Sequence, residues 1–364
     1  MSTLIVEVCQ IEKIVSHPNA DRLEIAFVKG WQCIVGKNEF CAKEKIIFIP
    51  PDSILPIDFA EKWGIRKYLA GKNKDRVKCA RLRNEMSFGI IIPCEKSEWE
   101  IGKDVKEYYR IVKYEPPLRS VPGDAAPEDS LFPRMTDIEN MRNFPTIFKE
   151  GELVAVTEKI DGTQSIIGSS PVVKENGEFP ENEEVVIKAS SRKHIRKKPE
   201  EDKIKSTTYW YPWTLKPVQD FIYYFIKKEH KQIQLFGEIY GSVRGGHKSM
   251  HYGVPKTLNY AAFRLKLDGK FVSYKEFKGF CDIFNVSIVP LITVMSFNFK
   301  KIEKLSRGFS LLAKKNGVEH LREGVVVVSF DKENGDILKF HNDDYLILKD
   351  KKEKKGEIVD YTDE

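Results

Sequence analysis

A lysine followed by an acidic turn gives this sequence its clearest potential for chemistry. Lys159 ends an apolar stretch that begins at Leu153, and Asp161-Gly162 follows as a turn before a second apolar stretch. A lysine amine at the end of a strand can act as a covalent nucleophile. The same residues also fit an ordinary Asp-Gly hairpin turn beside an exposed lysine. The tetrapeptide therefore leaves both interpretations open.

A series of polar and aromatic residues follows Lys159 and favours the chemical interpretation. Most of its members lie in apolar stretches typical of strands, and one arginine lies in a basic segment. In chain order the series is Arg192, Glu238, Phe263, Glu323, Lys339 and His341. An arbitrary sequence would rarely contain all of these positions in this order.

The ordered series resembles the nucleotidyltransferase motifs of covalent ligases and capping enzymes. The resemblance implies that Lys159 attacks ATP and carries AMP as a covalent lysyl adenylate. It also implies AMP or ATP contacts on both sides of the nucleophile and along the later motifs. These contacts fall to Glu158, Ile160, Arg192, Glu238, Phe263, Lys339 and His341.

Within this resemblance each residue type suits its implied role. Glu158 would read adenine with its backbone or its side chain, and Phe263 would stack on the flat purine ring. Arg192 would contact AMP or its phosphate, and Glu238 would bind ribose or a metal-bound water. Lys339 would hold the α-phosphate as a point charge.

To act as a nucleophile, the Lys159 amine also needs a neighbouring group that favours its neutral form. An ordinary lysine titrates near ~10.4 and is largely inert at neutral pH, and neighbouring carboxylates favour the ammonium form further. A bound divalent cation reverses that effect. We therefore expect Asp161, Glu238 and Glu323 to hold hydrated Mg²⁺ or Mn²⁺, which also neutralises charge on the α-phosphate.

One position departs from the family pattern. The last motif of the family often carries two lysines one residue apart, and the second position here is His341. A histidine is only partly charged near neutral pH. Either His341 contacts phosphate as a neutral donor, or Lys349 supplies the missing charge, and the sequence leaves both alternatives open.

The first part of the chain predicts a small β-barrel of short strands with one helical segment, residues 59–63, between them. The segments His17–Leu23 and Pro50–Pro56 resemble the N-terminal OB module of one RNA ligase group. In that group the nucleotidyltransferase domain follows the OB module, whereas DNA ligases and capping enzymes place the OB module last. The order of domains therefore favours an RNA ligase. The strands are predicted at 4–8, 23–28, 33–35, 45–49, 77–82 and 88–92.

These observations together predict an α+β protein with two domains. An OB-like β-barrel is expected over residues 1–113, and a proline-rich linker over 114–133. The nucleotidyltransferase (adenylation) domain, of antiparallel sheets flanked by helices, is expected over 134–350. Within it, helices are predicted over 216–230 and 300–315. Charged residues from Lys349 onward predict a frayed end, with residues 351–364 as a tail.

A basic segment beside Arg192 suggests a path for the RNA strand. Its cations could neutralise phosphates, although a solvated basic loop has the same composition. Arg134, Asp137 and Arg142 could contribute near the pyrophosphate side of the nucleotide. The aromatic run 209–213 is better explained by packing, and His247 with His251 does not form a convincing metal site. The proposed RNA contacts are Lys188, Lys193, Arg196 and Lys197.

Composition places the chain among globular proteins without a membrane span. Its 364 residues suit two domains, and the net charge of +6 is compatible with a phosphate-rich partner. The start of the chain does not read as a signal peptide, and the six cysteines are expected to be reduced. We therefore expect an intracellular monomer.

The predicted activity is the joining of RNA 3′-hydroxyl and 5′-phosphate ends, or of nicks in an RNA duplex. The nearest alternative is a DNA ligase or a capping enzyme that uses GTP. A second alternative is a catalytically silent RNA-binding protein that keeps both folds. Formation of a covalent adenylate on Lys159 separates these possibilities.

Overall fold

Short antiparallel strands build the first third of the chain. In the computed structural model, which describes residues 3–115, 123–135, 137–172, 185–201, 207–241, 252–254 and 257–354, this region holds one six-residue helix, α1. Trp31, Cys33 and Val35 are buried while Gln32 and Ile34 between them are half-buried, the period-two pattern of a strand that covers a core. Strands and helix are β1 Glu7–Gln10, β2 Lys13–Ser16, β3 Leu23–Val28, β4 Trp31–Gly36, β5 Lys45–Ile49, β6 Ser53–Ile54, α1 Ile57–Lys62, β7 Ala80–Leu82, β8 Glu85–Ser87, β9 Ile90–Pro93 and β10 Val112–Lys113.

These strands pair into small sheets around two buried clusters. The sheets are β1-β5-β9, β2-β3-β4, β6-β10 and β7-β8, all antiparallel. Trp31 packs near Phe48 and Phe88 in one cluster, and Phe59 of α1 joins the other. The predicted barrel strands are present, although the first begins at Glu7 rather than Leu4. The sequence prediction missed β2, β6, β8 and β10, each of which has only two to four residues.

Two larger sheets build the rest of the chain. Strands β11 to β21 and helices α2 to α6 follow in mixed order, so the class is α+β as predicted. Their bounds are β11 Glu139–Asn140, β12 Leu153–Lys159, β13 Thr163–Pro171, β14 Val185–Ser190, β15 Ile195–Arg196, α2 Lys216–Lys227, β16 Ile233–Gly241, β17 Leu258–Leu267, β18 Lys270–Phe271, α3 Tyr274–Phe284, β19 Leu291–Ser296, α4 Phe299–Ser306, α5 Leu311–Lys315, β20 Gly324–Ser329, β21 Ile337–His341 and α6 Asp343–Lys354.

The two sheets are antiparallel apart from one short pair. One has the order β11-β21-β20-β12-β19, where β11 runs parallel to β21, and the other has the order β15-β14-β13-β16-β17-β18. The main core contains α2, α3 and the six-stranded sheet, together with Ala155 and Val328 of the five-stranded sheet. The opposite face of the five-stranded sheet packs on α4 through Ile302. Strand β12, which ends at Lys159, is therefore buried on both faces, which fixes its position firmly.

Three segments differ in the structure from the sequence prediction. The single helix predicted over 300–315 is two helices, α4 and α5, because the chain turns at Gly308, whose φ is +96°. The frayed end predicted from Lys349 is helical as far as Lys354. Part of the predicted linker is packed, because Phe132 is only 1% exposed and lies against the six-stranded sheet. In that part the apolar side chain of Phe132 packs against the sheet, so this part of the segment is not a flexible linker.

Within the described ranges, every helix is too short or too polar to cross a membrane. The six cysteines are free thiols.

Candidate active site

Lys159 lies at the end of β12, against the strand that follows Glu323. It pairs across the sheet with Gly324, the first residue of β20. The Nζ atom of Lys159 lies 2.8 Å from each carboxylate oxygen of Glu323. Glu323 is 7% exposed, so the ion pair is largely withdrawn from water. Two residues 164 positions apart in sequence thus meet because their strands are neighbours.

Lys159 also borders a cavity of about 110 Å³. Six of the seven predicted nucleotide contacts line it, and His341 does not. Alternation along the five-stranded sheet explains part of this arrangement, because every second residue of a strand faces the same side. The lining residues are Asp137, Ile138, Thr157, Glu158, Lys159, Ile160, Gln164, Arg192, Glu238, Phe263, Tyr274, Val289, Val326, Val328, Ile337 and Lys339.

The cavity has an apolar part and a charged part. Phe263 is half-buried and shares the lining with Val289 and Val326, which suits a flat ring. Lys159 and Lys339 bring positive charge to the same cavity. A ligand with a flat ring and an anionic group fits this combination.

Two glycines in the motifs are required by close backbone approach. A Cβ on Gly162 would lie 2.4 Å from the carbonyl oxygen of Ile239, and a Cβ on Gly324 would lie 2.3 Å from that of Phe340. Gly324 also has a φ of +156°. The glycine after Asp161 and the glycine after Glu323 therefore allow the strands to approach closely at the site.

The three carboxylates predicted to hold a divalent cation have different neighbours, and their shared metal site stays a prediction. Asp161 accepts a hydrogen bond from the Tyr345 hydroxyl of α6, and its backbone N–H donates to the Tyr252 hydroxyl at 2.7 Å. Glu238 lines the small cavity, whereas Glu323 lines a second cavity. Among the described residues, no three His, Cys, Asp or Glu side chains come together as metal ligands.

Asp161 stays ionised in this setting. Burial raises its pKa, but the Lys349 charge, the Tyr345 hydrogen bond and the Lys159 charge outweigh burial and hold the pKa below its usual value. The carboxylate is thus an anion tied to the C-terminal helix. This contact could not be inferred from the sequence, because 184 residues separate Asp161 from Tyr345.

Glu158 has a structural contact that limits its predicted role. Its carboxylate accepts hydrogen bonds from the Ser310 hydroxyl, from the Leu311 N–H at 2.8 Å and from the Leu312 N–H at 3.2 Å. These groups begin α5, where N–H groups lack partners within the helix. The side chain is therefore committed elsewhere, and reading of adenine by that side chain is not supported. The alternative, that the Glu158 backbone reads adenine, stays a prediction.

Arg192 is oriented by two neighbours. Its Nη1 lies 3.1 Å from a carboxylate oxygen of Asp137, and its Nε donates to the side-chain oxygen of Gln164 at 3.4 Å. Gln164 was not among the predicted site residues. Its position five residues after Lys159, in the strand that follows the motif, was the only available signal.

A second cavity, of about 290 Å³, lies between the barrel and the five-stranded sheet. Lys339 and Glu323 line it, together with His341 and Lys349. The barrel contributes Trp31 and further polar residues. Five cations surround this cavity, Arg76, Lys78, Lys113, Lys339 and Lys349, against two carboxylates, Asp52 and Glu323.

Burial changes the charge state of two residues on β21. It lowers the pKa of Lys339 to about 8, assisted by the charge of Lys159. Burial and the charge of Lys339 hold the pKa of His341 well below its usual value. His341 is therefore neutral at neutral pH. Both alternatives from the sequence, His341 and Lys349, lie on the larger cavity.

Arg142 connects the barrel to β21. Its guanidinium lies 4.2 Å from the ring centre of Trp31 and 4.3 Å from that of Phe340, and its Nη2 donates to both oxygens of Asp343. The side chain is 2% exposed, so it does not reach either cavity directly. Arg134 is paired with Glu128 instead of facing the cavities. Of the three approach residues, Asp137 lines the small cavity.

The predicted RNA contacts are partly committed to the protein itself. Arg196 is 4% exposed and pairs with Asp124, and Lys188 pairs with Asp129. Burial of its guanidinium argues against the RNA contact predicted for Arg196, which stays a prediction. Lys197 reaches the Gly123 carbonyl at 3.2 Å. In contrast, the packing role of the aromatic run is confirmed by burial of Trp210 and Trp213. His247 and His251 lie outside the described residues.

Comparison with known proteins defines the class to which this fold and site belong. The profile of the RNA ligase family matches residues 152–341, more than half of the chain, and an OB-fold domain profile matches residues 5–94. The chain belongs to the RNA ligase family. It has an N-terminal OB fold followed by a ligase domain, as the sequence predicted.

Solved structures share this fold over nearly the whole chain. Naegleria gruberi RNA ligase, as a lysine mutant with ATP and Mn, is 20% identical with a TM-score of 0.72, and covers 94% of this chain and 98% of its own. The same enzyme with PPi is 20% identical with a TM-score of 0.71, covering 96% and 99%. At this identity the likeness shows the fold. Comparison with curated proteins gives no match.

Proposed function

We propose that this RNA ligase uses ATP and a divalent cation, and that Lys159 forms the covalent adenylate. The observation that carries this proposal is the position of the Lys159 amine on a cavity shared with Arg192, Phe263 and Lys339. The cavity offers a flat aromatic face and cations to an adenylate. ATP and AMP are present with Mn in structures that share the fold.

In the first step, the Lys159 amine attacks the α-phosphorus of ATP. A bond forms between Nζ and phosphorus, and the bond from phosphorus to the pyrophosphate oxygen breaks. Lys339 is placed to neutralise charge on the α-phosphate from the same cavity. The larger cavity, with cations from the barrel and from β21, receives the pyrophosphate.

Glu323 is the carboxylate best suited to the divalent cation, and Glu238 is the one best suited to ribose. Both border cavities that would hold the nucleotide, and Mg²⁺ is usually held by one or two carboxylates with substrate phosphates and water. The donor set of oxygens therefore fits a metal that arrives with the nucleotide. Glu323 would then share its oxygens between the cation and Lys159, and the cation would supply neutralisation of charge on the α-phosphate.

Two further steps complete the reaction. AMP passes from Lys159 to the 5′-phosphate of RNA, and the 3′-hydroxyl then attacks that phosphate and releases AMP. The substrate is an RNA end or a nick in an RNA duplex. Lys193 and Lys197 stay the proposed contacts to this RNA. Dependence on ATP and RNA supports an intracellular location.

The test is covalent labelling followed by sealing. We expect α-labelled ATP with Mg²⁺ or Mn²⁺ to label the protein covalently, so that the label survives denaturing electrophoresis. Lys159→Ala should prevent this labelling. Labelling by GTP alone would identify the capping alternative. Absence of any covalent label would favour a silent RNA-binding protein. Nicked duplexes that differ only in which strand is RNA then distinguish an RNA ligase from one that seals DNA equally well.

A further inference from the structure

The Gln164 side chain carries a buried donor that the fold does not satisfy. Gln164 is 8% exposed and lines the small cavity. Its amide nitrogen has no hydrogen-bond partner among the residues that the structure describes. A buried amide N–H without a partner costs free energy that a ligand acceptor can recover. The nitrogen is therefore a candidate for binding the ligand of this cavity.

The orientation of this amide is set by a chain of contacts. Asp137 pairs with Arg192, and Arg192 Nε donates to the Gln164 side-chain oxygen. Because arginine can only donate, it must face the oxygen of the amide. The NH₂ group is consequently the part of Gln164 that remains for a ligand.

The neighbour of Gln164 indicates which ligand group is suitable. Gln164 on β13 stands directly opposite Glu238 on β16, and both line the cavity. Side chains directly opposite each other in an antiparallel pair have Cβ atoms about 4.5–5.5 Å apart. An ionised glutamate only accepts hydrogen bonds, whereas the glutamine NH₂ only donates. A hydroxyl group, which donates and accepts, is complementary to this pair.

We propose that Gln164 is a specificity-determining residue that, with Glu238, recognises a ribose hydroxyl of ATP and so selects ATP over deoxy-ATP. This inference rests on the proposed function, because it requires ATP in the small cavity. It adds a residue from the strand after the nucleophile to the nucleotide site. The Asp137–Arg192 pair acts through Gln164 by orienting its amide.

The experiment measures nucleotide binding in a protein that cannot react. Isothermal titration of Lys159→Ala with ATP, 2′-deoxy-ATP and 3′-deoxy-ATP gives the preference for each hydroxyl. The same titrations on Lys159→Ala/Gln164→Leu remove the donor at similar side-chain volume. We expect ATP affinity to fall about fivefold to tenfold, the scale of one lost hydrogen bond. Affinity for at least one deoxy-ATP should change less than twofold, so that discrimination is lost.

A second glutamine provides the matched control. Gln234 is also buried, at 2% exposed, but its amide nitrogen already donates to the Pro133 carbonyl at 2.6 Å. Gln234→Leu should lower stability and leave the ratio of ATP to deoxy-ATP affinity unchanged. Thermal unfolding of both variants shows whether the fold is retained. Gln164→Asn offers a second test, since it keeps the donor but shortens its reach and should also lose discrimination.

The outcomes separate this inference from the proposed function. If Gln164→Leu weakens ATP and both deoxy-ATP forms equally, or changes none of them, Gln164 does not recognise the ribose. ATP would still bind and label Lys159 in the parent protein, so the proposed function would stand. Failure of the parent protein to bind ATP at all would overturn both.

Discussion

Lys159 and Glu323 form an ion pair in which both carboxylate oxygens lie 2.8 Å from the lysine Nζ. Both oxygens of the Glu323 carboxylate are therefore engaged by the lysine amine. The ion pair therefore positions the Lys159 amine. Under the proposed function, adenylylation would depend on Glu323 in two ways, by positioning the lysine and by binding the cation.

We expect Glu323→Gln to lower the rate of Lys159 adenylylation about a hundredfold or more, since removal of one preorganised charge-stabilising group costs on the order of 3 kcal/mol. Single-turnover labelling with ATP at saturating Mn²⁺ measures this rate. Glu319→Gln, an exposed carboxylate nearby in sequence, is the control and should react normally. A rate for Glu323→Gln within threefold of the parent would contradict the role given to Glu323.

The Glu158 carboxylate should contribute to stability through α5. Glu158→Gln weakens charge-assisted hydrogen bonds to Ser310 and two backbone N–H groups. We expect the free energy of unfolding to fall by about 1.5–3 kcal/mol. Urea denaturation of Glu158→Gln, Ser310→Ala and the double variant measures the effect. Strict additivity of the two single changes would show that the two side chains do not interact.

Tyr345 should position Asp161 without touching the substrate. Tyr345→Phe keeps the ring but removes the hydroxyl that donates to Asp161. We expect the fold to be retained, with a loss of about 1–3 kcal/mol in stability because a buried carboxylate loses a partner. Adenylylation should slow mainly in rate and little in ATP affinity. Tyr223→Phe, which changes an exposed tyrosine, serves as the control, and equal effects of the two substitutions would exclude this role.

Lys339 should make both stability and nucleotide binding depend on pH. Its pKa in the folded protein is about 8, lowered by burial and by the charge of Lys159. An unfolded lysine has a pKa near ~10.4, so from pH 8 to 10 the unfolded chain binds more protons than the folded protein. This residue therefore penalises the folded state below pH 8, and the penalty is relieved as pH rises.

Two measurements check the direction of this pH dependence. In the absence of nucleotide, Lys339→Met should be more stable than the parent at pH 7, and the difference should shrink by pH 10. ATP affinity of Lys159→Ala should fall as pH rises through the pKa of Lys339, which is higher in this variant because the Lys159 charge is absent, and the additional Lys339→Met change should flatten that dependence. A parent protein whose ATP affinity rises from pH 7 to 9 would contradict the assignment.

Arg142 should hold the barrel against β21. Arg142→Met removes its ion pair with Asp343 and its contact with the Trp31 ring. We expect a loss of about 1.5–3 kcal/mol in stability and a change in Trp31 fluorescence. Arg110→Met, whose partner Asp58 is also exposed, should change stability much less than Arg142→Met. Equal losses of stability in the two variants would show that the buried Arg142 contacts contribute no more than an exposed ion pair.

Much of the local pattern was readable from the sequence. Strands β3, β4, β5, β12 and β20 follow from alternating or continuous apolar residues, and α2 from its apolar face. The break between α4 and α5 was not predicted, because Gly308 lies within a stretch of otherwise helical spacing. Its reason is tertiary, since the start of α5 has to meet the Glu158 carboxylate.

The sequence by itself determined the order of chemical residues around Lys159 and the class of fold that carries them. Tertiary structure alone decided which of those residues share a cavity, because strand pairing joins Lys159 to Glu323 across 164 positions. It also showed that Asp161 faces Tyr345, that Arg196 is buried, and that Gln164 carries an unsatisfied donor. Residue type specifies what a side chain can do. Burial and bonding partners, which arise only when distant strands pack, decide which of those interactions the side chain can make.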